Sequence, residues 1–92
     1  MHEVAIAQGI LEVVLDVAEE HSVKTVLVRA GELQALTQES LQFCFEMVAQ
    51  DTPAAAARID LELLPGDELT IEAIELEDGW HYRPDRVEQA VT

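Results

Sequence analysis

The chain has 92 residues, 49% of them hydrophobic and 4% aromatic, a composition for one small domain with an aliphatic core rather than a disordered segment. Nineteen Asp and Glu against five Lys and Arg give a formal charge of -14, which repels phosphate backbones and anionic lipid and leaves no basic stripe for nucleic acid. A single cysteine, Cys44, excludes an intramolecular disulfide and a zinc site of paired CxxC type.

The apolar start follows no Lys or Arg and is interrupted by Glu12 and Asp16, so it does not read as a signal peptide, and no stretch is long and uncharged enough to span a bilayer. The expected location is the cytoplasm.

Residues 3–20 carry Ile6, Ile10, Val13, Val14 and Val17 at helical spacing against Gln8, Glu12, Asp16 and Glu19, which predicts an amphipathic helix. Leu11, Leu15 and Ala18 widen its apolar surface beyond the roughly 100° arc that one packing partner requires. The C-terminal tail or a second subunit would cover the excess, with a plain two-layer core as the alternative, so a homodimer is compatible with the pattern. His21 follows the helix, where an imidazole is favoured by the C-terminal carbonyls.

"VKTVLVRAGEL" alternates Val26, Val28 and Ala30 against Thr25, Leu27 and Arg29, the pattern of a strand ended by Gly31. "LTQESLQFCFEMVAQ" reads as a second helix, with Thr37 as N-cap, Glu39 in the first turn, and Leu41, Cys44, Phe45 and Val48 on one face. Cys44 is then a small buried hydrophobe. Thr52-Pro53 stops the helix and residues 54–57 connect onward.

"RIDLELL" is a half-buried strand by its alternation. "ELTIEAIELE" is another, with an apolar phase that shifts from Leu69 and Ile71 to Ile74 and Leu76, which calls for a β-bulge near Ala73. Between them Leu64-Pro65-Gly66-Asp67 matches a type II turn and predicts an antiparallel hairpin. The expected fold is α+β, a two-layer domain with two helices on one face of a small, mainly antiparallel sheet, in the order α-β-α-β-β. Residues 79–92 change character, holding the single Trp and Tyr and two of the four arginines; they read as a C-terminal tail with a short helix after Pro84 as one conformation.

The start, Met1-His2-Glu3, carries chemistry. The Met1 amine, the His2 backbone nitrogen and the His2 imidazole close five- and six-membered chelate rings about one metal. Such nitrogens, completed by the Glu3 amide, a carboxylate or a distant side chain, suit tetragonal or square-planar Ni(II) or Cu(II). Zinc fits less well, since it favours tetrahedral thiolate and imidazole sites. Amine, amide and imidazole must each lose a proton, so binding weakens as pH falls. The spacing alone is weakly specific.

"MHEVAIAQGILEVV", "GELQALTQESLQFCFEMV" and "DELTIEAIELED", in this order from Met1 to Asp78, resemble the HypA family of nickel metallochaperones. The resemblance implies delivery of nickel during maturation of nickel-iron hydrogenase and, in some organisms, urease. It implies that His2 binds the nickel, that the Met1 amine and the His2 and Glu3 backbone are neighbours of the ion, and that Glu3 tunes the site. Some members also use an acidic residue in the loop before the second helix, which makes Glu39 an additional candidate ligand.

Members of the family normally carry a zinc domain with two CxxC pairs between the last two strands, where this chain has Pro65-Gly66-Asp67. The domain reading is therefore 1–78, a HypA-like nickel-binding domain with the zinc domain absent at 65–67, followed by the tail at 79–92, with Ni(II) expected and no zinc. The implied partners are a HypB-type GTPase or a hydrogenase large-subunit precursor. A non-metal protein-interaction or regulatory module derived from the same fold is the rival reading. An enzyme fits least, because no nucleophile is paired with a base and no Gly-rich phosphate loop or oxyanion hole is recognisable.

Overall fold

The computed structural model describes residues 2–82, with His2 described by its backbone alone; the tail helix expected after Pro84 lies outside the described residues. These form α1 (His2–Ala18), β1 (Val23–Gly31), a 3-10 turn (Glu32–Gln34), α2 (Gln38–Val48), β2 (Arg58–Leu64), β3 (Leu69–Leu76) and β4 (His81–Tyr82). The expected α+β class holds. Both helices pack on each other, α2 against β2 and α1 against β3, over a four-stranded sheet in the order β2-β1-β3-β4.

The predicted hairpin between β2 and β3 does not form. β2 pairs parallel to β1, and β3 pairs antiparallel to β1 on its other side. Within Leu64-Pro65-Gly66-Asp67, Gly66 has φ +104°, in the left-handed region that the third position of a type II turn also uses. What differs is the path: β1, α2 and β2 form a strand-helix-strand unit, and parallel neighbours need such a crossover. The turn after β2 then steps across the end of β1.

That step requires Gly31. A Cβ there would lie 2.1 Å from the Gly66 carbonyl oxygen and 2.5 Å from the Asp67 nitrogen. In its place the two segments hydrogen-bond, Gly31 N–H to the Glu68 carbonyl at 2.6 Å and Leu33 N–H to the Gly66 carbonyl at 2.9 Å.

β1 is the central strand, and its alternation is as read: Val26, Val28 and Ala30 are buried under the helices, while Thr25, Leu27 and Arg29 face the open side. The expected bulge in β3 is present. Leu27 pairs with Ala73 and Val28 with Ile71, so Glu72 is the extra residue, and Ile71 and Ile74 are both buried despite the odd spacing. A second irregularity falls at Lys24, between the pairs Val23 with Leu76 and Thr25 with Glu75. β4 was not anticipated; His81 pairs with Glu75 and Tyr82 with Ile74, reached by a turn in which Gly79 takes φ +93°.

The wide apolar surface of α1 is used within the chain. Ala7, Ile10, Leu11, Val14 and Ala18 are buried, and Val4, Ile6, Val13, Leu15 and Val17 pack at the edge of the same core. A helix that meets both a second helix and a sheet has two partners and needs more than one stripe. The helix ends two residues before Glu20, at Ala18, where Glu19 turns left-handed with φ 57° and the His21 ring nitrogen Nδ1 lies 3.1 Å from the Ala18 carbonyl oxygen. This is the C-terminal position expected of His21.

Gly31→Ala is expected to destabilise the domain by about 2–3 kcal/mol, because the clash is with backbone and not with a movable side chain. Gly9→Ala meets nothing within 4 Å in α1 and should stabilise by roughly 0.5–1 kcal/mol through helix propensity. Urea denaturation of the two variants measures this opposite pair of shifts.

Candidate metal centre

α1 begins at His2, with Glu3 half-buried in its first turn. The first four N–H groups of a helix have no intrahelical acceptor, so the His2 and Glu3 amides can be deprotonated and bind a metal without breaking a helical hydrogen bond. The same end carries the positive pole of the helix, which opposes a cation. The Glu3 carboxylate in the first turn offsets that pole, and loss of amide protons adds further negative charge at the same place. Met1 and the His2 side chain lie outside the described structure.

Glu39 sits exposed in the first turn of α2, two residues after the N-cap Thr37. The cap is formed as read from the sequence, with Thr37 at φ -122° and ψ 158° accepting a 3.1 Å hydrogen bond from the Ser40 N–H. Glu39 and Glu3 therefore occupy the first turns of two helices that pack on each other, but no hydrogen bond or ion pair among the described residues joins them. No group of three or more His, Cys, Asp or Glu among the described residues could hold a metal ion.

Other donor side chains lie in the core and in β4. Cys44 is free and buried in the core, as expected of a small hydrophobe. His81 lies in β4, 3.8 Å from the Glu75 carboxylate. Tyr82 packs on the core edge, and Trp80 stacks on it with ring centroids 6.3 Å apart.

The open face of the sheet carries ionic pairs. Arg29 on the central strand binds Glu62 of β2 at 2.9 Å and faces Glu72 of β3 at 3.6 Å. The hydrogen bond to Glu62, then the charges of Glu62 and Glu72, raise the guanidinium above its ordinary pKa. Arg29 and Glu62 are exposed and Glu72 is half-buried, so these pairs sit at a solvent-screened surface.

The fold and this start define a small two-layer α+β protein whose candidate donors lie at the beginning of its first helix. The family described as "Hydrogenase/urease nickel incorporation, metallochaperone, hypA" matches residues 1–69, and the chain belongs to that HypA family. A hydrogenase maturation factor HypA of Methanopyrus kandleri is 42% identical over 69 residues, covering 72% of this chain and 49% of that protein. The HypA of Archaeoglobus fulgidus is 40% identical over 70 residues, covering 73% and 64%. A solution structure of the nickel metallochaperone HypA from Helicobacter pylori shares the fold, with TM-score 0.59 and 20% identity over 92% of this chain and 72% of that one. The chain spans about half to three-fifths of the length of the first three curated relatives it matches.

Thr37→Ala is expected to cost about 1 kcal/mol of stability by loss of the cap, read by chemical denaturation. The same variant should fray the turn that carries Glu39, seen as faster amide exchange at Ser40.

Proposed function

We infer that the chain is a nickel-binding accessory protein for maturation of nickel-iron hydrogenase or a related nickel enzyme. It holds Ni(II) as cargo at Met1, His2 and Glu3, with Glu39 as an additional ligand, and has no catalytic activity of its own. The observation that carries this reading is that the family match starts at residue 1 and that α1 starts at His2, so the chelating amides fall where helical hydrogen bonding leaves them free.

Zinc is not expected, because the Pro65-Gly66-Asp67 turn joins β2 to β3 where other family members have a zinc domain, and Cys44 alone supplies a thiol. A HypB-type GTPase or a hydrogenase large-subunit precursor is the partner proposed for hand-off, in the cytoplasm. No helix among the described residues is long and apolar enough to cross a membrane. The rival reading, a non-metal interaction module, draws on Phe43 and Met47, which lie one turn apart on α2 and are exposed.

Nickel titration of untagged protein separates the two. Under the nickel reading, micromolar Ni(II) binds, His2→Ala abolishes binding, and acetylation of the Met1 amine weakens it at least roughly tenfold by removing that nitrogen from the chelate rings. Glu39→Ala should weaken it less, and unchanged affinity removes Glu39 from the ligand set. Binding should fall as pH drops, because the amine, imidazole and amide nitrogens bind the metal only when deprotonated. No binding, or equal binding by His2→Ala, leaves the interaction module.

A further inference from the structure

β2 is an edge strand of the sheet, and its outward backbone groups are met by two side chains of α2. The Gln42 amide accepts from the Ile59 N–H at 2.8 Å and donates to the Ala57 carbonyl at 3.2 Å. The Gln38 amide accepts from the Leu61 N–H at 2.9 Å and donates to the Ile59 carbonyl at 2.5 Å. A primary amide carries one acceptor and one NH2 donor, the same pair a peptide unit offers. Spaced one helical turn apart, the two side chains thus repeat the hydrogen-bond pattern of a neighbouring strand.

We propose that Gln38 and Gln42 form a surrogate strand that closes the β2 edge, and that without it β2 takes a second copy of this chain by strand addition. Exposed edges are templates for such pairing. Most glutamines on a helix face water, whereas these two reach across to β2 and satisfy four successive groups, three in the strand and one, the Ala57 carbonyl, just before it. The cover stops at Leu61, because Gln38 is the first residue of α2. Leu63, next along the same edge, is 48% exposed, so an uncovered β2 presents both unpaired backbone and an apolar side chain. Two copies would meet about a two-fold axis with their β2 strands antiparallel.

Two measurements on the full chain test this. In amide hydrogen exchange followed by NMR, Ile59 and Leu61 should be protected in the wild type. Gln42→Ala should speed exchange selectively at Ile59, and Gln38→Ala selectively at Leu61, each by roughly tenfold. Gln38→Glu, which keeps the acceptor, should leave Leu61 protected. In sedimentation at rising concentration, Q38A/Q42A should self-associate while the wild type shows no β2-dependent association, and adding Leu63→Lys should restore the smaller species. Ile59 and Leu61 exchanging as in an open edge in the wild type, or unchanged protection in both single variants, overturns the surrogate strand. A folded Q38A/Q42A that stays at the wild-type mass overturns the association. If that double variant does not fold, the single variants at high concentration carry the mass measurement, with an unchanged mass again overturning it.

Discussion

The passage of one chain segment over the end of another, with no room for a side chain between them, organises this domain. At Gly31 the backbone of the turn after β2 lies where a Cβ would be, and hydrogen bonds on both sides of the contact tie Gly31 to Glu68 and Leu33 of the 3-10 turn to Gly66. Because the turn crosses there, β2 and β3 fall on opposite sides of β1, one parallel and one antiparallel. β1 becomes the central strand and β2 an edge.

The helices follow from that placement. Joining β1 to a parallel neighbour requires a crossover, and α2 supplies it, seating Leu41 and Phe45 in the core. α1 then fills the remaining width over β1 and β3, which accounts for its broad apolar surface. The opposite side of the sheet stays open and ionic, with Arg29 between Glu62 and Glu72. In a chain of net charge -14, one of few cations is thus spent between acidic residues of its neighbouring strands.

Elements governed by local rules were legible in the sequence. The Thr37 cap, the alternation of β1, the left-handed Gly66 and the extra residue in β3 each depend on a few adjacent residues. The pairing of β2 was not legible, because a type II turn specifies a reversal of direction and not which strands lie side by side. β4 was hidden for a related reason: two residues, His81 and Tyr82, carry no periodicity of their own and are a strand only because β3 lies beside them. Of the candidate metal site, the donor types could be read from Met1, His2 and Glu3. That the helix begins at His2, leaving the first amides without helical acceptors, needed the structure.

The sequence by itself determined the class of core, the two helices, three of the strands and the acidic surface, since these rest on composition, period and covalent spacing. Only the tertiary structure decided the strand order, the close approach at Gly31 and the reach of Gln38 and Gln42 to β2. Those are relations between residues 15 to 53 positions apart, fixed by how layers stack and not by any local preference.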